Sequence, residues 1–159
     1  MKAKDKIFNK DGLILQIQKW KDEKLEVVFT NGCFDIIHLG HIEYLEKARE
    51  KGDKLIVGVN SDSSVRRLKG TSRPIIEENS RVAVLASLMF VDAVIVFEED
   101  TPLELIMALQ PDILIKGNDY SLNNIVGADF VISQGGKVKT IELVPGFSTT
   151  SIVEKIQSN

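Results

Sequence analysis

The sequence predicts a single doubly wound α/β domain, with a mainly parallel, five-stranded Rossmann-like sheet and helices on both faces. Three observations carry that expectation. Short runs rich in Val, Ile and Leu alternate with longer amphipathic segments along the whole chain. Four of the five strand candidates are nearly continuous apolar runs, as strands covered on both faces must be. The 159 residues are enough for one substantial core but not for two full domains.

The elements follow in order. Leu13, Ile14, Ile17 and Trp20 fall at helical spacing and predict an amphipathic helix within an extension over residues 1–24 that packs on the body, with Trp20 in plain core packing. The strand candidates are Glu26–Thr30, Lys54–Val59, Ala93–Phe97, Asp112–Lys116 and Val138–Leu143. The last alternates instead of running apolar and belongs toward an edge. Between them, His41–Lys51 carries Ile42, Leu45 and Ala48 on one face, with Gly52 where a C-terminal cap belongs. Glu78–Phe90 is the most apolar helix. Thr101-Pro102 opens another, with Thr101 as N-cap, and Pro111 follows its end. One more helix lies within Leu122–Ser133, closed by Gly135-Gly136, and the last starts near Ser148. The whole of 1–159 reads as one domain. In such folds ligands bind at the carboxyl ends of the strands, where strand order reverses.

Composition excludes several classes of function. A net charge of −3 gives no electrostatic footprint for coating DNA or an anionic membrane, and Lys2, Lys4, Lys6 and Lys10 read as a solvated segment. With 43% apolar and 27% charged residues the chain is not disordered. The single cysteine, Cys33, cannot form an intramolecular disulfide, which fits a reducing compartment. The charged opening MKAKDKIFNK has no apolar stretch behind it, so no signal peptide is apparent. The apolar stretch Val82–Phe97 is broken by Ser87 and Asp92 and falls short of the ~20 residues of a spanning helix. A soluble, cytoplasmic protein is expected, with neither nucleic acid nor membrane as partner.

The chemistry concentrates after the first strand, in Thr30-Asn31-Gly32-Cys33-Phe34-Asp35 and then His38-Leu39-Gly40-His41. His38 and His41 are three apart, on one face of a first helical turn, and Gly40 removes a side chain between them. A helix N-terminus offers free N–H groups and partial positive charge, and two imidazoles add donors. The arrangement suits phosphate oxygens and the charge that develops on them. Metal ligation by the pair has thin support, because no third His or further Cys lies nearby. Cys33 reads as a small buried residue, with no paired base to make it a nucleophile.

H-x-G-H after a strand ending T-x-G-x-F-D resembles the cytidylyltransferase-like nucleotidyltransferases. Further segments are similar to one branch of that family, the heptose 1-phosphate adenylyltransferases. They are Asn60-Ser61-Asp62, Val65–Gly70, Arg73-Pro74, Phe97–Pro102, Lys116–Tyr120 and Gly146–Thr150. The resemblance implies transfer of AMP from ATP to D-glycero-β-D-manno-heptose 1-phosphate, giving ADP-heptose and pyrophosphate, in lipopolysaccharide core or other surface-glycan biosynthesis. It implies His38, His41 and Lys69 as catalytic residues. It assigns Thr30, Asn31, Gly32, Cys33, Phe34, Gly40, Lys116, Gly117, Asp119, Ser148, Thr149 and Thr150 to the nucleotide. Asp35, Asn60, Lys69 and Arg73 go to the sugar phosphate, although Asp35 equally reads as a structural cap. Lys69 and Arg73 are placed in a glycine-containing loop, while Arg66 and Arg67 belong to a solvated face. Ser148–Thr150 opens the last helix and offers a second anion site as well as a cap.

Mg²⁺ is implied as travelling with ATP, with no protein-made metal site. No kinase domain is present, so the resemblance implies a sugar phosphate supplied by a separate kinase. Homodimers are common among relatives, and Arg81 on the apolar third helix is a candidate for such an interface. Two other readings stay open. One is a cytidylyltransferase using CTP with glycerol 3-phosphate or a similar small phosphate, which Leu143-Val144 disfavours because those enzymes carry Arg-Thr there. The other is a nucleotide-binding module without turnover.

Overall fold

The apolar runs pair side by side, each strand in the order its neighbours' hydrophobic faces dictate. The computed structural model describes all 159 residues, Met1–Asn159. Its five strands are β1 Val27–Gly32, β2 Lys54–Asn60, β3 Ala93–Phe97, β4 Ile113–Gly117 and β5 Lys137–Ile141. All pairings are parallel, in the order β3-β2-β1-β4-β5. The alternating strand, β5, lies at an edge as expected. The other edge, β3, is covered by the N-terminal segment: Ile7 bridges Val94, and Phe8 N–H donates to the Val94 carbonyl at 3.0 Å. A covered edge offers no template for pairing with another chain.

Seven helices flank the sheet: α1 Lys10–Asp22, α2 Leu39–Arg49, α3 Asp62–Lys69, α4 Glu78–Ser87, α5 Leu103–Leu109, α6 Ala128–Ser133 and α7 Thr149–Gln157. Successive strand residues point to opposite faces, and the two faces carry separate cores. Val27 and Phe29 of β1 pack with Leu13, Ile17 and Trp20 of α1 and with Leu105, Ile106 and Leu109 of α5. Val28 packs on the other face with Leu45 and Ala48 of α2 and Val82 and Leu85 of α4.

Several expectations change. The stretch Asp62–Lys69 is a helix, which places Lys69 on its last turn and not in a loop. Ser61 caps it, its hydroxyl accepting from Ser64 N–H at 3.1 Å, and Gly70 ends it at φ +100°. Thr101 is not the cap of α5; Pro102 holds that position and no side chain bonds the first turn. Leu122–Ser133 is not one helix. A 3-10 turn at Leu122–Asn124 is separated from α6 by Gly127, whose φ of +86° interrupts the helical path. The α4 helix stops at Ser87, because Leu88 turns to extended backbone.

Gly52 is not a helix cap either: it lies beyond the cap Glu50 and is absent from the positive-φ glycines. A Cβ there would sit 2.6 Å from Val28 Cγ2 and 3.0 Å from the Glu26 carbonyl, so Gly52 is needed for close approach to the start of β1. Gly52→Ala is expected to destabilise the protein by about 1–3 kcal/mol through overpacking, read as a lowered urea midpoint. An unchanged midpoint would show that β1 yields at this point.

Candidate active site

The cleft begins where the sheet comes apart. Strands β1 and β4 form the ladder only at Val28–Ile113 and Phe29–Leu114. Beyond that pair the strands separate, at the position where strand order reverses, which is where doubly wound sheets bind ligands. Side chains replace the lost ladder bonds. Thr30 Oγ1 donates to the Ile115 carbonyl at 3.0 Å and shares a 2.7 Å hydrogen bond with Tyr44 Oη. Lys116 Nζ donates to the Asn31 carbonyl at 3.2 Å and lies over the Tyr120 ring. Thr30 is therefore a fully buried strut beneath the cleft and does not line it, a correction to its assignment to the nucleotide. Tyr44 was not singled out in the sequence because at helical spacing it reads as core. Burial pushes its phenol well up, ahead of the opposing effect of the Thr30 hydrogen bond.

Above this floor opens a cleft of about 710 Å³. It is lined by Asn31, Gly32, Cys33, Phe34, Asp35, His38, Gly40, His41, Asn60, Lys69, Arg73, Lys116, Gly117, Asp119, Ser148, Thr149 and Thr150. Every candidate residue from the sequence except Thr30 is thus brought to one cavity.

The histidine pair sits at the mouth of α2, His38 as its N-cap. The rings stack, with centroids 3.8 Å apart and planes inclined by 27°. Phe34 flanks His41 at 5.4 Å, and Phe147 flanks His38 at 6.3 Å. Gly32 and Gly40 make this stack possible. A Cβ on Gly32 would sit 3.0 Å from the Phe34 ring, and one on Gly40 would sit 3.0 Å from the His38 ring and 3.1 Å from Phe147 Cβ. So Gly40 makes room first for its neighbours. Phe34 takes a φ of +48°, a strained conformation for a bulky residue, of the kind that clusters at functional sites.

His41 Nδ1 accepts the His38 backbone N–H over 3.4 Å, which puts the proton of the neutral ring on Nε2. Burial, with a smaller contribution from His38, pulls the His41 pKa down to about 4, and burial lowers that of His38 as well. Two neutral imidazoles are therefore offered as donors. Two buried polar atoms have no partner, His38 Nδ1 and Asn31 Oδ1, and both belong to residues of this cleft. Buried unpaired groups cost about 1–3 kcal/mol each, a cost that an ordered water or a ligand in the cleft relieves.

The low His41 value has a measurable consequence. The unfolded chain protonates this ring near 6.5 and the folded one only near 4. The unfolded state therefore binds more protons in that window, and stability falls as pH drops from 6.5 toward 4. From about pH 7.5 to about pH 5, the urea midpoint is expected to fall further in the wild type than in His41→Gln. Parallel curves would rule out the buried, neutral imidazole.

The remaining residues divide by what already holds them. Asp35 is buried and fully engaged: it accepts Arg73 Nε at 3.0 Å, Ile75 N–H at 2.9 Å and Ile76 N–H at 2.8 Å. Asp35 and Arg73 fasten the 73–76 loop beside β1, so substrate binding gives way to anchoring for Asp35. Arg81 is not an interface residue. It is 1% exposed and donates to the carbonyls of Ile76, Cys33 and Asn60 and to Asp62 Oδ1. It ties the ends of β1 and β2 to α3 and to the loop before α4. Lys69 is exposed and forms no ion pair, unlike Arg73 with Asp35 and Arg67 with Asp100.

Burial lowers the Lys116 ammonium pKa, opposed by Asp119. Asp119 folds back over Gly117, where a Cβ would meet its Oδ1 at 2.6 Å. Burial also raises the Cys33 thiol, which leaves it a poor nucleophile. Ser148 caps α7, accepting from Ser151 N–H at 3.0 Å, which leaves Thr149 and Thr150 at the cleft edge. Sequence reasoning did not place Tyr120, Ile125, Val126, Leu143 or Phe147 in the lining. Asp100 and Thr101 also line the cleft, although in sequence Thr101 reads as a helix cap and Asp100 as the end of an acidic run. No helix is long and apolar enough to cross a membrane.

The chain is similar to known proteins in sequence and in fold. Residues 29–155 match the family described as Cytidylyltransferase-like. The chain is 52% identical over 154 residues to the bifunctional protein HldE of Methylobacillus flagellatus, covering 97% of this chain and 32% of that protein. It is 55% identical over 143 residues to HldE of Syntrophotalea carbinolica, covering 90% and 29% respectively. It therefore spans about a third of the length of these curated relatives. The crystal structure of the lipopolysaccharide core biosynthesis protein from Thermoplasma volcanium superposes with a TM-score of 0.60 at 34% identity, over 76% of this chain and 97% of that one.

Proposed function

The chain belongs to the cytidylyltransferase-like family of nucleotidyltransferases, and from that premise we propose that it transfers AMP from ATP to D-glycero-β-D-manno-heptose 1-phosphate, releasing pyrophosphate. One observation carries the reading. Two neutral histidines at the mouth of α2, the N-terminal turn of α7 and the cations Lys69 and Lys116 all converge on the cleft where β1 and β4 part. A heptose acceptor is supported by the likeness to HldE and to the lipopolysaccharide core biosynthesis protein. Adenine over cytosine is supported by Leu143 and Val144, apolar lining residues where the cytidylyl enzymes carry Arg-Thr.

The chemistry then needs no covalent intermediate. A phosphate oxygen of the sugar phosphate, already ionised at neutral pH, attacks the α-phosphorus of ATP. A new P–O bond forms as the bond to the pyrophosphate oxygen breaks in line. His38 and His41 donate to the phosphoryl oxygens as charge develops on them, and the free N–H groups of α2 support the same charge. Lys69 and Lys116 take the flanking phosphates as point charges. Mg²⁺ enters as part of the ATP complex, held by phosphate oxygens and water, because it gives up water reluctantly. The acceptor itself comes from a sugar-phosphorylating reaction.

Pyrophosphate release, with ATP and with CTP, each against heptose 1-phosphate and glycerol 3-phosphate, tests the reading. Release is expected with ATP and the heptose. Release only with CTP and glycerol 3-phosphate would keep the mechanism and overturn both substrates.

A further inference from the structure

The cleft has two ends, and the nucleotide accounts for only one. The parting of β1 and β4, with α7 beside it, holds the nucleotide in the reading above. The opposite wall is built from Asn60 at the end of β2, Lys69 at the end of α3, and Asp100-Thr101 in the turn after β3. This wall is braced. Ser61 N–H donates to the Phe97 carbonyl at 2.9 Å, Ser64 Oγ to the Glu99 carbonyl at 3.1 Å, and Arg67 Nε to Asp100 Oδ1 at 2.7 Å.

Three groups on it remain uncommitted. Asp100 Oδ2 takes no hydrogen bond within the protein, its partner oxygen being held by Arg67. The Thr101 hydroxyl is exposed and caps nothing. Lys69 has no acidic partner. An ammonium for a phosphate, with a carboxylate oxygen and a hydroxyl in the same cleft, matches a ligand that bears a phosphate and several hydroxyls. A smaller phosphate with fewer hydroxyls would engage fewer of these groups than a sugar phosphate does.

We propose that Asp100 Oδ2 and Thr101 Oγ1 recognise the sugar hydroxyls of the acceptor, and that this turn sets preference for a phosphorylated sugar over a small alcohol phosphate. The proposal rests on the sugar-phosphate reading above. Asp100→Asn keeps an oxygen for Arg67 while removing the charge, and Thr101→Val keeps shape while removing the hydroxyl.

Pyrophosphate release by the full chain at saturating ATP, with heptose 1-phosphate varied, is the test. The KM for the sugar phosphate is expected to rise about tenfold in each variant, the loss of one hydrogen bond to a charged or donor-rich partner. At the same time kcat and the KM for ATP stay within about twofold. Arg67→Gln, which loosens the brace and leaves both recognition groups, is expected to move the sugar KM by less than about threefold. An unchanged sugar KM in both variants overturns the proposal. So does a rise shared by the ATP KM or matched by Arg67→Gln, because either assigns the turn a purely structural role. A wild type inactive on every sugar 1-phosphate, yet active on another acceptor, overturns the functional reading and this proposal with it. A wild type active on the sugar phosphate with unaffected variants overturns this proposal alone.

Discussion

Replacing His38 or His41 with alanine lowers turnover by about 10²–10³-fold, the loss typical of removing one preorganised donor from a developing oxyanion. The fold survives, and the two variants differ in stability. His38→Ala loses the stacking on His41 and Phe147 but also deletes a buried nitrogen that has no partner in the protein, so its urea midpoint falls less than that of the His41 variant. His41→Ala empties the space between Phe34 and the His38 ring and lowers the midpoint further. The double variant loses much less than the product of the single losses, because both rings serve one helix terminus. Pyrophosphate release and denaturation on the same samples check all three statements. Turnover within tenfold of wild type in both single variants would remove the histidines from the reaction.

Arg81→Ala is the most destabilising single change expected here, at about 3–5 kcal/mol, because it strips three carbonyls and the partly exposed Asp62 carboxylate of their donor. The guanidinium satisfies three carbonyls and the Asp62 carboxylate from a fully enclosed position. Without it the ends of β1 and β2 lose their cross-tie beneath the cleft. Urea denaturation measures the loss. Arg81→Lys recovers part of it, since one ammonium cannot span four acceptors set for a planar fork. A midpoint near wild type in Arg81→Ala would show that water replaces the side chain and that the cross-tie is dispensable.

The histidine site was legible in the sequence because its parts are local. Thr30 to His41 runs from a strand to a helix mouth in twelve residues, and the anion-binding character of that junction is a property of backbone and imidazole alone. The core was legible for a similar reason. Apolar runs such as Ala93–Phe97 leave little choice but a doubly covered strand.

Where the reading slipped, partners distant in sequence decided the outcome. The segment Asp62–Lys69 carried its own signals, a serine cap and a terminal glycine, but Lys69 read as part of a glycine-containing loop. Glu78, accepting the Asp62 N–H at 2.7 Å from 16 residues away, and the brace to the β3–α5 turn helped to hold it helical. Gly52 read as a cap because glycine after a helix has that meaning by itself; its neighbour Val28 gave it another.

The sequence by itself determined the fold class and marked the strand-to-helix junction of the histidine pair, since these follow from periodicity and from chemistry within a few residues; the cleft residues farther along the chain were pointed to by the family resemblance. Tertiary structure alone decided which polar groups remain free to act. Asp35, Thr30 and Arg81 look as available in sequence as Lys69 or Thr101, yet the first three are committed to partners 5 to 85 residues away. A buried polar group must be satisfied by whatever packing brings near it, and only the packed chain shows whether that partner is the protein or the space left for a ligand.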